Sequence, residues 1–489
     1  MFFSQAVFLP FLLAIFLLWL PWRAAGRKLV LLLASLIFYA SWDVRFPALL
    51  AAVWLVVLVV PPALQRTTDE TAKRRLQAAG VAALLLLLFV FKYFGFFLDS
   101  LRPLLGNTGA RSATGALRLI MPVGISFYVF QAISYVVDSA RGKVEASRSV
   151  LDTALYVAFF PLLLAGPIEK GARWLPQLQR YQPLRLANLR DGAERMLLGY
   201  LLKVGIADPV APFCNDIFAR AATAGQGELW AGAFGYSLQI LTDFAGYSLI
   251  ARGVAKLFGY EVINNFEQPY FARSFSEFWR RWHISLSAWI WEYLFSPLIS
   301  FFLRRVGRWN LATVEREMRI AYPCAALSTM LLCGLWHGAG WTYVVWGGLH
   351  GLFLTFERLF IFGKRPLAMR PRLRGPRDRA RALLAGGLVF LLATLAWIVF
   401  RAPTLAEAGT YLTRLFTATG WIVQAKALLI LAVGFVCAIV VETTAHRRRD
   451  EWVFRSTGRW RGLAYAAAVL YIVVFGGSSG KVPFIYFQF

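Results

Sequence analysis

KRPLAMRPRLRGPRDRAR, from Lys364 to Arg381, runs directly into the uncharged stretch ALLAGGLVFLLATLAWIVF at 382–400. An α-helix needs about 20 apolar residues to cross the hydrocarbon core of a bilayer, so the second stretch reads as a membrane span. The first holds Lys364 and seven arginines (Arg365, Arg370, Arg372, Arg374, Arg377, Arg379 and Arg381). Such a loop resists translocation and marks the cytoplasmic side. This alternation recurs along the chain. Apolar runs fall at about 5–20, 29–42, 48–60, 79–98, 121–137 and 151–165, then at about 196–213, 229–242, 322–340, 341–362, 382–400, 427–445 and 462–476. Basic loops fall at 23–28, 66–75, 141–148, 304–319, 364–381 and 447–461. The pattern predicts an all-α polytopic membrane protein. Because several runs are shorter than a perpendicular span requires, tilted, short and re-entrant helices are expected in it.

Composition excludes the soluble classes. Of 489 residues, 58% are hydrophobic and 16% charged, with a mean hydropathy of +0.57. Soluble domains carry about a quarter charged residues. The 52 Lys and Arg exceed the 26 Asp and Glu by 26. In a soluble chain that excess would suggest nucleic acid, but here it sits in the short loops between spans, and no nucleic-acid motif accompanies it. No nucleic-acid partner is expected; the partner of the apolar surface is membrane lipid. Arg23, Arg27 and Lys28 follow the first apolar run, the wrong order for a cleaved signal peptide. An uncleaved first span with its N-terminus outside the cytoplasm is expected instead. Cys214, Cys324, Cys333 and Cys437 form no CxxC pair, and there is no HExxH, so neither disulfide framework nor metal site is expected. No repeat or linker divides residues 1–489, which read as a single multi-spanning membrane domain.

The chemistry concentrates in the middle. From Gly259 to Arg319 the sequence turns aromatic and Arg-rich, with Trp279, Trp282, Trp289 and Trp291 beside Arg280, Arg281 and His283. A lipid-facing span would not carry that charge, so this stretch lies in the interface or lines an internal cavity. His337 interrupts the apolar segment GLWHGAGWTYVVWGGLHG, Gly334 to Gly351. An ionisable residue at membrane depth is a functional candidate by default, and a neutral imidazole suits general-base work. The pairs Gly334/Gly338 and Gly347/Gly351 are small-xxx-small steps that let helices approach closely. His350 follows His337 by 13 residues, not a whole number of helical turns, and reads as structural. Neither a GxSxG elbow nor a P-loop is present, which argues against hydrolase and ATPase chemistry.

Six segments carry a family resemblance: MPVGISFYVFQAISYVVD (121–138), FFPLLLAGPIEK (159–170), TDFAGYS (242–248), FWRRWHISLSAW (278–289), LWHGAGWTYVVWGGLHG (335–351) and VPFIYFQF (482–489). Together they resemble the membrane-bound O-acyltransferases, in the branch that serves acetylation of alginate and other exopolysaccharides. The resemblance implies a helical bundle around a central cavity, with residues 120–351 as catalytic core and 382–489 as C-terminal membrane helices. It places the family histidine on His337 and the second motif histidine on His283. Trp336, Trp341, Trp282, Arg280, Arg281, Asp243 and Tyr247 lie in the matching motifs and are candidates for substrate binding.

The resemblance further implies acetyl-CoA as acyl donor and no metal. It implies an inner-membrane location, a periplasmic SGNH-type acetyltransferase that completes transfer to sugar hydroxyls, and polysaccharide secretion machinery as partners. Arg280, Arg281, Arg304, Arg305 and Arg308 are candidates to neutralise the donor's phosphates. The chain departs from the family at Leu249, where an Asp is usual. It departs again at Trp291 and Glu292 in place of Arg-Asp, and at Pro297-Leu298-Ile299-Ser300 in place of Pro-Leu-Gly-Gly. D-alanyl transfer to teichoic acid is the alternative within the same fold. A transporter is the alternative from another class; it would show two related halves, and no repeat is visible.

Overall fold

The computed structural model describes residues 1–105, 122–308, 313–362, 375–447, 460–476 and 484–485. The described residues are almost wholly helical and contain no strand. Most of the basic stretches at 364–381 and 447–461, and most of the 482–489 tail, lie outside them. Among the described residues, seven helices are long and apolar enough to cross a membrane, including Phe46–Arg66, Leu186–Ala219, Val314–His337, Trp341–Ile361 and Pro376–Arg401. The protein is therefore a multi-pass membrane protein. Leu13, Leu17, Leu33, Leu55, Leu86 and Leu384 are exposed, as helices facing lipid rather than water require.

Two compact units can be described. The first comprises Met1–Met196 with Tyr247–Ile263. In it the run at 151–165 is broken at Phe159, where an extended residue separates Val150–Ala158 from Phe160–Leu163, because Pro161 enters at the start of the second piece. Gly124, at φ +77°, begins the helix Ile125–Ala140, and a Cβ there would sit 2.0 Å from the Leu163 carbonyl oxygen. Only glycine meets both demands. The Tyr156 hydroxyl donates to the Gln131 carbonyl at 2.8 Å, and the Gln131 amide donates back to the Tyr156 carbonyl. Two of the motif segments thus fold against each other.

Polar contacts tie distant segments of this unit together. Lys28 pairs with Asp152 at 2.5 Å, Arg27 donates to the Gln182 carbonyl at 2.6 Å, and Gln65 bonds the backbone at Val144 and Ala146.

The second unit comprises Leu197–Gly246 with Asn264–Phe489. Its most extensive described helix pair is Val314–His337 against Trp341–Phe356, joined by the short turn Gly338–Gly340. A Cβ on Gly347 would lie 2.1 Å from the Met330 carbonyl oxygen and 3.1 Å from the Gly334 Cα. One on Gly334 would lie 2.1 Å from the Tyr343 carbonyl oxygen. The glycine steps read from the sequence therefore serve backbone-to-backbone packing between the two helices.

Gly347→Ala should disrupt this pair. Overpacking costs about 1–3 kcal/mol in well-packed cores, and here the obstacle is backbone, which cannot rotate away. We expect a lowered melting temperature in detergent, checked against Gly387→Ala, whose Cβ would meet nothing within 4 Å.

Candidate active site

FWRRWH, 278–283, straddles the end of a short helix, Phe275–Arg281, with His283 just beyond it. Ser274 caps the helix start: the Ser274 hydroxyl accepts from Glu277 N at 3.1 Å, and the Glu277 carboxylate reaches back to accept from Arg273 N at 2.9 Å. Glu357, from beyond the Trp341–Phe356 helix, accepts from Phe275 N at 2.6 Å and Ser276 N at 3.1 Å. That buried carboxylate fixes the start of the helix on its positive end. Arg281 is buried and taken up by Glu277 at 2.7 Å and the Gln268 carbonyl at 3.0 Å. Arg280 faces out.

His283 joins this helix to the next, Ile284–Ile290, in the left-handed region at φ +44°, ψ +55°. Asn265 pins the junction: its carbonyl accepts from Ile284 N at 2.9 Å, and its side-chain oxygen accepts from Ser285 N at 3.2 Å. Non-glycine residues held there are uncommon and cluster at functional sites. The imidazole is fully buried, with its ring centroid 4.6 Å from Phe244 and 5.9 Å from Trp336.

His337 is the last residue of its helix, buried to 3% exposure. Its ring meets Trp336 at 4.8 Å, Trp346 at 5.0 Å and Phe400 at 5.5 Å, each edge-to-face. Gly338 is required beside it, since a Cβ there would lie 2.2 Å from the Tyr343 ring. His283 and His337 thus stand on separate elements with Trp336 against both. The structure also draws in His350, one turn beyond Trp346, with ring centroids 4.7 Å apart. Gly338–Gly340 interrupts the helix, so a count of turns from His337 does not apply to His350.

The remaining candidates divide. Trp282 is buried in the same cluster, stacked on Phe278 at 5.6 Å and 5.0 Å from Trp397. Trp341 opens its helix 56% exposed. Tyr247 belongs to the first unit, where it stacks on Phe3 at 4.6 Å. Asp243 sits in a buried ion triad: Lys203 lies 2.9 Å from Asp243 and 2.6 Å from Asp208. Lys203 comes from a π-helical stretch, Leu201–Ala207, and Gly246 permits the approach, its Cβ position lying 2.8 Å from Lys203 N. Asp243 also accepts from Ile485 N at 2.8 Å. Sequence inspection missed Lys203 and Asp208, whose charges appear to the eye as breaks in an apolar run. Among the described residues no group of His, Cys, Asp and Glu could hold a metal.

Comparison with known proteins gives the family. Residues 64–313 match the model of the MBOAT, membrane-bound O-acyltransferase family. The chain is 37% identical to a probable alginate O-acetylase AlgI of Azotobacter vinelandii, over 86% of this chain and 79% of the relative. The chain belongs to the membrane-bound O-acyltransferase family. This O-acyltransferase is also 33% identical to a peptidoglycan O-acetyltransferase of Helicobacter pylori, over 78% of the chain and 72% of the relative. A teichoic acid D-alanyltransferase of Streptococcus thermophilus is 26% identical over 58% of the chain and 69% of its own length. The family match contains Asp243 and His283 and ends before His337.

In the O-acyltransferase, His283→Gly should melt higher than His283→Ala, because alanine bears the left-handed penalty, about 1 kcal/mol, that glycine escapes. Both should be impaired in transfer. Equal melting temperatures would show that the junction does not hold the left-handed conformation.

Proposed function

We propose that the enzyme takes acetyl from cytoplasmic acetyl-CoA and passes it across the inner membrane for O-acetylation of an alginate-like exopolysaccharide, with His337 as general base. The observation that carries this is the placement of His337: buried at the break between two helices, walled by aromatic rings, and linked through Trp336 to a second buried histidine. A thioester needs no covalent enzyme intermediate. His337 takes the proton of the acceptor hydroxyl, the acceptor oxygen bonds the acetyl carbon, the carbon–sulfur bond breaks, and the CoA thiolate receives the proton. Rings that exclude water protect the thioester from hydrolysis. His283 positions the donor or acceptor. The alginate O-acetylase relatives support the acetyl group and the polymer class.

The sidedness of the basic loops supports a cytoplasmic donor and a periplasmic N-terminus. Arg280, Arg304, Arg305 and Arg308 are exposed and offer charge to the donor's phosphates, whereas Arg281 is committed to Glu277. A periplasmic SGNH-type acetyltransferase and the polysaccharide secretion machinery would complete delivery to the sugar.

His337→Ala should insert and melt close to wild type yet lose acetyl transfer by about 10²–10⁴-fold, the span of a positioned general base. A stable, fully active variant would end the assignment. Donor binding should weaken as salt rises, since exposed arginines on phosphate are screened. Calorimetry at two ionic strengths measures this, and salt-independent binding would remove the arginines from the donor site.

A further inference from the structure

Beyond His337 the aromatic cluster continues around His350. Trp346, Trp279 and Trp397 stand at 4.7, 5.3 and 6.4 Å from its ring, with Phe275 at 5.6 Å and Phe353 at 5.8 Å completing the wall. Trp346 and Trp397 stack at 5.4 Å. All four polar side chains are buried, His350 and Trp346 completely. Among the described residues, neither ring nitrogen of His350 and none of the three indole N–H groups has a hydrogen-bond partner.

Donor chemistry makes this cluster one-sided. Each indole has an N–H and no acceptor, and a neutral imidazole has one of each, so four donors face a single acceptor. A buried polar group without a partner costs about 1–3 kcal/mol, and native cores retain few of them. Where four such residues touch, a guest that accepts would satisfy the surplus. Water offers as many donors as acceptors, whereas a carbonyl oxygen offers only acceptors, which matches the surplus. Trp346 touches both His350 and His337, so the donor nest adjoins the expected base.

We propose that Trp346 and His350, with Trp279 and Trp397 around them, form the subsite that receives the acyl carbonyl oxygen. The assignment rests on the acyl-transfer reading with His337 as base. When the acceptor oxygen adds to the carbonyl carbon, the C=O π pair moves onto oxygen. That oxyanion accepts more strongly than the ground-state carbonyl, so the same N–H groups favour the transition state. The pair returns as the carbon–sulfur bond breaks, and the thiolate leaves with the proton held by His337.

Isotope-edited infrared spectroscopy of the full-length enzyme with [1-¹³C]acetyl-CoA tests this. The bound thioester carbonyl should absorb below its position in free acetyl-CoA. Trp346→Phe and His350→Phe should each move the band back toward the free position and lower kcat by about 10–10³-fold, the scale of one oxyanion donor. Donor affinity should stay within about threefold, and His350→Asn, which keeps an N–H, should retain part of the shift. A band displaced in wild type and unmoved in both phenylalanine variants overturns the subsite while leaving the donor intact. A wild-type enzyme that binds no acetyl-CoA overturns the donor reading and the subsite with it. If Trp346→Phe does not fold, the His350 pair decides the matter alone.

Discussion

The contact between Gly334 and Gly347 sets the distance between the two helices on which the second unit's chemistry is mounted. Neither residue has a side chain to hold the backbones apart, and carbonyl oxygens of Tyr343 and Met330 fill the places where Cβ atoms would be. At that separation Trp346, one residue before Gly347, reaches the ring of His337 on the facing helix. Any wider spacing would part the histidine from its tryptophan wall. Packing comes first here, and the site is what packing leaves behind.

The second constraint is electrostatic. Lys203, Asp208 and Asp243 carry one positive and two negative groups into the interior, where an isolated ion is costly and a paired one roughly offsets its desolvation. The π-helical stretch and Gly246 are what bring the three within ion-pair range. Phe244, next to Asp243, is in turn the ring against His283, so the triad and the left-handed junction share one wall.

Much of this was legible in the sequence. Spans showed because membrane burial demands long uncharged runs, and His337 and His283 showed because a histidine among Leu, Trp and Gly has no cheap excuse in lipid. Other features were hidden for physical reasons. The amphipathic helix Leu405–Thr417 alternates too evenly to register as an apolar run, and Glu357 acts on Phe275 and Ser276 from 82 and 81 residues away. The spacing of His350 from His337 told nothing of its place, because three residues of turn interrupt the helical phase. Trp341 belonged to the right motif, yet it lies at the exposed helix start, where motif membership says nothing about which way a ring faces.

The bond from Ile485 N to Asp243 spans 242 residues of sequence. A chain leaves the ribosome N-terminus first, so the helix bearing Asp243 is made and inserted long before its partner exists. Until residue 485 emerges, Lys203 answers that carboxylate among the described residues. The contact that completes Asp243's surroundings therefore closes late in biosynthesis, when a residue 242 positions downstream arrives.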